Sequence, residues 1–415
     1  MQYRQHQLAN GLEIIAECNP GAHAMACGFF VRTGARDETP EIGGVSHFLE
    51  HMVFKGTPNR SAEDVNRELD EIGSHSNART GEESTIYHAT VLPDFQSKVV
   101  EVLSDIMRPS LREDDFETEK KVIIEEIKMY DDQPPYGGHE RIMSEYFGDH
   151  PLGQSVLGTE ETVAGLTPDR MHEYFQRRYS PANIALAAAG NVDFEKLVED
   201  CEKFCGGWEN FEAKRDPLPA SPRTGFVTMH KPESTQQYLI QLAKGPHSHD
   251  EDRFPTRVLT TILGDDSGSR MYWEFLDSGR ADSAGMGNYE YDGAGLVLTF
   301  VCCAPDQAQD NLNRMRRLQQ QVLAQPISQK ELDQAKRKIA SHIILSSERT
   351  ESRMFSVGSQ WLKKQPFKSP AEIATMYEGV TLDQVNAVAE KYPLFENMTL
   401  CVGPESKLFA PVDGE

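Results

Sequence analysis

A chain of 415 residues, 38% hydrophobic and 26% charged, has an ordinary globular composition and is too long for a single hydrophobic core, so two domains are expected. A formal charge of −23 argues against nucleic acid or an anionic membrane surface as partner, and no run of about 18 apolar residues offers a membrane span. Seven cysteines, an odd number with no CxxC pair, exclude a disulfide framework and point to a reducing, cytoplasmic compartment.

The chain opens as two short strands around the Asn10-Gly11 turn, not as a basic-then-apolar leader, so no signal peptide is expected. Residues 26–32 read as a strand. The Gly43-Gly44 pair then leads into a helix bearing His47, Glu50 and His51. At about 100° per residue the two imidazoles lie roughly 40° apart on one face, with Glu50 at roughly −60°, so a zinc ion and an adjacent carboxylate can share that face. In the commoner His-Glu-x-x-His helix the glutamate falls on the mirror side, which makes this an inverted zinc-peptidase pattern. The bland alternative is a solvated polar face.

Ser61 caps a helix to about residue 72, followed by strands over 74–80 and 84–92 joined at Gly81. Helices are expected over 94–107 and 112–130, a buried strand over 184–189 and a helix over 193–204. Residues 209–224 are polar and carry three prolines in six positions, the mark of an extended connector. Beyond it the order repeats: strands at 225–230 and 236–243, a helix at 252–263, a strand at 295–302, and helices at 306–323 and 328–347. Gly190-Asn191-Val192 finds an echo in Cys401-Val402-Gly403. The expected fold is α+β, with two homologous domains over 1–208 and 225–415. Each is a mainly antiparallel sheet packed with helices, and only the first has the histidine helix; the second is expected to cover the active-site chamber.

A catalytic zinc takes three protein ligands and keeps one position open. The segment 117–127 offers the third: Glu119 and Glu126 are seven residues apart, nearly two helical turns, so one carboxylate can bind metal while the other orients a ligand. Spacing alone does not choose between Glu125 and Glu126.

These segments resemble the pitrilysin/insulinase family of zinc peptidases, in particular its small bacterial members similar to the mitochondrial processing peptidase, over almost the whole chain. His47-Phe48-Leu49-Glu50-His51-Met52-Val53-Phe54-Lys55-Gly56-Thr57 matches the family's zinc helix, and residues 119–134 match the downstream helix. The resemblance implies one zinc per chain on His47, His51 and Glu126, with Glu119 as the acidic partner behind them. It implies Glu50 as the base that activates a zinc-bound water of pKa about 7. It also implies that Asn77, Ala78, Arg79, Thr80 and Glu83 belong to a strand that binds substrate backbone by strand addition. His150, set among proline and glycine, reads as a turn residue.

Active single-chain relatives carry an arginine and a tyrosine seven residues apart in the second half, which contact substrate and the oxyanion. Here those positions fall on Phe275 or Leu276 and on Asp282, none of which can replace them. The resemblance therefore implies a dimer, either a homodimer or a heterodimer with a homologous subunit that supplies the pair. A metalloendopeptidase acting on peptides or unfolded segments is expected; the competing expectation is a non-catalytic assembly subunit on the same fold.

Overall fold

The computed structural model describes residues 1–215 and 217–411; Asp216, inside the expected connector, and residues 412–415, at the end of the expected second domain, lie outside the described residues. Six strands form the first sheet: β1 (Gln2–Gln7), β2 (Glu13–Cys18), β3 (Met25–Val31), β4 (His75–Thr80), β5 (Thr85–Val91) and β6 (Ile184–Gly190). Their order is β1-β2-β6-β3-β5-β4, antiparallel except for β2 against β6. The second sheet holds β7 (Gly225–His230), β8 (Gln237–Lys244), β9 (Ser283–Tyr291), β10 (Ala294–Cys303) and β11 (Asn397–Gly403), in the order β7-β11-β8-β10-β9. Here β7 and β11 are the parallel pair. With β1 set aside the two orders superimpose strand for strand, parallel pair included, which is the topology of a duplicated α+β domain.

Period-2 alternation splits each sheet between two cores. In the first, Met25, Cys27, Phe29 and Val31 of β3 face the layer that contains Phe48 and Leu49 of the histidine helix. Ala26 and Phe30 face the opposite layer with Met354, Val357 and Trp361. In the second, Leu239 and Ala243 of β8 face one layer while Ile240 and Leu242 face another with Ile142, Tyr146 and Phe147.

Those two opposite layers change the domain boundaries. The chain divides into one unit of Met1–Lys128, Gln154–Asp216 and Leu345–Phe367, and a second of Met129–Gly153, Pro217–Ile344 and Lys368–Glu415. The helix Pro134–Phe147 thus belongs with the second sheet, and the helix Thr350–Leu362 with the first. Boundaries at 208 and 225 therefore give way to an exchange of one helical segment in each direction. The physical cause is an apolar sheet face on each side that the local chain leaves uncovered. Close packing fixes each helix: a Cβ at Gly358 would lie 2.3 Å from the Phe30 ring, and one at Gly138 would lie 3.0 Å from Val402.

The expected connector is also shorter on its first side. Ser180 Oγ donates to Phe211 O at 2.6 Å, and Arg178 Nη1 donates to Lys214 O at 2.7 Å, so the segment up to Arg215 is bound to the first unit. β9 and the helices at 134–147, 350–362, 370–378 and 382–391 go beyond the sequence expectation.

Candidate active site

The histidine helix, Val45–Val53, begins at Gly44, whose φ of +90° and 2.4 Å approach of a would-be Cβ to Leu157 O admit only glycine. Its first amides are held by the buried Glu38: Oε2 accepts from Gly44 N and Oε1 from Ser46 N, both at 2.7 Å. Burial pushes the Glu38 carboxyl up to about 8 against the pull of those hydrogen bonds. Val45, Phe48, Leu49 and Met52 face the core. Phe48 stacks on Phe116 of the helix Glu113–Asp132 with ring centroids 4.5 Å apart, which sets the rotation of that second helix.

That rotation decides between the two glutamates. Glu125 points to solvent and pairs with Lys128 at 2.9 Å, whereas Glu126 faces the imidazoles. Glu126 Oε2 lies 3.8 Å from His47 Nε2 and 3.6 Å from His51 Nε2. Among the described residues these three form the only group of at least three histidine, cysteine or acidic side chains able to hold a metal, with donor atoms within 4.8 Å of one another. Separations of 3.6 and 3.8 Å are too long for hydrogen bonds and close to the roughly 3.4 Å between ligands of a tetrahedral zinc with bonds of about 2.0–2.1 Å. Two imidazoles and a carboxylate are a zinc donor set, and the residues present fit that ion.

Electrostatics prepare the donors differently. Burial, helped by the neighbouring His51, lowers His47 to about 3 and keeps it neutral. Burial also acts against a charge on His51, but the Glu119 hydrogen bond and the fields of Glu126, Glu119 and Glu50 together prevail and raise its pKa. His51 Nδ1 pairs with Glu119 Oε1 at 2.9 Å, which leaves Nε2 directed at Glu126. Lys55 Nζ lies 2.6 Å from the other Glu119 oxygen; against a burial cost, the His51 and Lys55 hydrogen bonds hold the Glu119 carboxyl below its usual range. Glu50 accepts from Thr80 Oγ1 at 2.5 Å. Its pKa is raised, by burial first, with the Thr80 hydrogen bond opposing and Glu126 adding to the rise.

The expected substrate residues separate along β4. Thr80 and Ala78 lie on the side of the histidine helix: Thr80 touches Glu50, and Ala78 packs on the core containing Phe48. Arg79 projects to the opposite side, 4.5 Å from the Phe355 ring centroid. Glu83 binds Arg36 at 2.6 Å in the turn after β4, and Asn77 Oδ1 accepts from Ala78 N at 2.9 Å. Of these residues, Thr80 is the one whose side chain bonds Glu50; β4 itself is an edge strand of the sheet. Lys55 had no role in the sequence expectation, although its spacing of four residues from His51 is that of one helical face; the Glu38 clamp and the Thr80–Glu50 contact had no sequence signal.

In the second unit Phe275 is buried in the core and Leu276 packs against it. Asp282 accepts from Gln236 Nε2 at 2.9 Å. Arg270 is engaged by Glu331 at 2.8 Å and Arg280 by Asp310 at 3.4 Å.

A family model described as insulinase (peptidase family M16) matches residues 13–160, and one described as the peptidase M16 inactive domain matches residues 165–339. An uncharacterized zinc protease of Bacillus subtilis is 32% identical over 390 residues, 94% of this chain and 95% of that protein. The chain belongs to the insulinase family of peptidases, M16. A second member, an uncharacterized zinc protease of Streptomyces coelicolor, is 33% identical over 93% of this chain and 86% of its own length. The M16 fold is shared with a protease from Helicobacter pylori, at a TM-score of 0.90, 20% identity and coverage of 97% and 99% of the two chains. It is shared equally with a Pseudomonas fluorescens structure described as a peptidase M16 inactive domain, at a TM-score of 0.90, 15% identity and coverage of 99% and 100%.

Proposed function

We propose that this chain is a zinc endopeptidase that hydrolyses peptides or unfolded segments and holds one zinc ion through His47, His51 and Glu126. The observation that carries the reading is the convergence of these donors beside Glu50, itself oriented by Thr80. Zinc at these ligands supplies Lewis acidity, which lowers the pKa of water and polarises a carbonyl. Glu50 accepts a proton from the attacking water at a carboxylate oxygen and delivers it to the leaving amine nitrogen. Its raised pKa suits a group that must both accept and donate. Glu119 and Lys55 hold the His51 ring so that Nε2 remains a donor to the ion. The edge of β4 receives the substrate backbone as an added strand, with main-chain pairing that reads shape more than sequence.

The chain acts in this reading as the zinc-bearing subunit of a cytoplasmic dimer. The partner is a homologous subunit that supplies an arginine and tyrosine to the oxyanion, because Phe275 is buried and Asp282 is engaged by Gln236. A non-catalytic assembly role is the second reading, favoured by that same loss of an oxyanion pair. Metal analysis separates them: near-stoichiometric zinc that is lost in His51→Ala supports the peptidase, and a chain purified without zinc that takes up none contradicts it.

A further inference from the structure

The loop that precedes the histidine helix is stitched to the turn that closes β4 and β5. Ala35 N donates to Gly81 O at 3.2 Å and Arg36 N to Glu82 O at 2.8 Å. The approach is so close that a Cβ on Gly34 would lie 2.2 Å from Gly81 O. Asp37 accepts from Gly34 N at 3.0 Å and from Arg178 Nη2 at 2.8 Å, and the next residue, Glu38, clamps the first amides of the helix. The turn leads directly back into Thr80, whose hydroxyl holds Glu50.

One further side chain spans both parts. Arg215 Nε donates to Asp37 Oδ1 at 2.8 Å, and its Nη2 donates to Asp37 Oδ2 and, at 2.7 Å, to Glu83 O. Arg215 is also the last described residue of the connector before the second unit begins at Pro217. The planar fork of a guanidinium suits this double task, which a lysine ammonium cannot reproduce.

We propose that Arg215 is a positioning residue for the peptide-receiving strand: it fixes the β4–β5 turn against the loop leading into the histidine helix, and so ties the interdomain connector to both walls of the active site. This rests on the peptidase reading above for its effect on substrate, but not for its effect on β4. Without Arg215, Asp37 keeps Arg178 and Glu83 keeps Arg36, so the fold and the metal donors remain while the turn loosens.

The test compares the wild-type chain with Arg215→Ala, Arg215→Lys and the neighbouring control Lys214→Ala, whose exposed side chain pairs with the exposed Glu212. Amide hydrogen exchange is measured peptide by peptide alongside zinc content and, with the homologous partner present, peptide hydrolysis. For Arg215→Ala we expect exchange over residues 75–85 faster by about tenfold, unchanged exchange over 45–53 and unchanged zinc. We expect KM to rise about tenfold with a smaller fall in kcat. Arg215→Lys should give intermediate values and Lys214→Ala wild-type values. Wild-type exchange over 75–85 in Arg215→Ala would overturn the proposal. So would acceleration spread through the whole first unit with loss of zinc, which marks a merely structural residue. If the wild-type pair cleaves no peptide, the peptidase reading falls, and the exchange comparison still decides the role of Arg215.

Discussion

Two imidazoles one helical turn apart meet opposite surroundings. His47 is held neutral by burial, while the carboxylates around His51 outweigh its burial and favour its protonated form. Protons therefore compete with metal at His51, and zinc affinity should fall as pH drops below the raised His51 pKa. Glu119→Gln removes that carboxylate. Equilibrium dialysis should then show zinc affinity at neutral pH lower by about 10–100-fold, with the onset of acid release moved to lower pH. At Glu50, Thr80→Val deletes a hydrogen bond that lowers the pKa, so the carboxyl rises further. Because the base must be ionised, the acid limb of the kcat/KM profile should move to higher pH, with zinc content unchanged. Much of this site was legible in the sequence, since helical spacing alone pairs His47 with His51 and Glu119 with Glu126. The choice of Glu126 over Glu125 depends on the stacking of Phe116 on Phe48, and the Thr80–Glu50 contact depends on two elements meeting.

Among the elements, the histidine helix depends on a cap that lies outside it. Glu38 is raised to about 8, so the folded state binds its proton between the unfolded value near 4.5 and about 8. With more protons bound in the folded than the unfolded state, stability from this group is full below the unfolded pKa and is lost as pH rises through the folded one. Glu38→Gln has no such titration, so its stability deficit relative to wild type should shrink from about pH 5 to about pH 8 in thermal unfolding. Glu38→Ala strands two buried amides and should cost about 1–3 kcal/mol near pH 5, a deficit that shrinks over the same range because alanine does not titrate either. Two of the elements that sequence reading missed have a composition that argues against them. Gly285 and Gly287 make β9 look like a loop until pairing with β10 orders it, and Pro134-Pro135 with Gly137-Gly138 disguise the start of a helix. Alternation and capping did give β3, β5, β6 and the helix that Ser61 caps.

At the scale of the whole molecule, duplication is written in strand order more clearly than in sequence, where only the Gly190 and Gly403 echoes survive. The exchange of one helical segment between units was invisible beforehand, because a helix's own pattern shows that it has an apolar face but not which sheet receives it. In the proposed reading duplication also divides labour: one copy carries the histidine helix and its acidic partners, and the other lacks an arginine–tyrosine pair at the expected positions. A chain so divided should be a weak peptidase alone and an effective one beside a homologue bearing that pair. The decisive measurement is the hydrolysis rate of an internally quenched peptide by the zinc-loaded chain with that homologue, for wild type and Glu50→Gln at equal zinc content. The account predicts partner-dependent cleavage by wild type and loss of at least about a thousandfold in Glu50→Gln. Equal rates for the two proteins, or no cleavage by the wild-type pair, would contradict it.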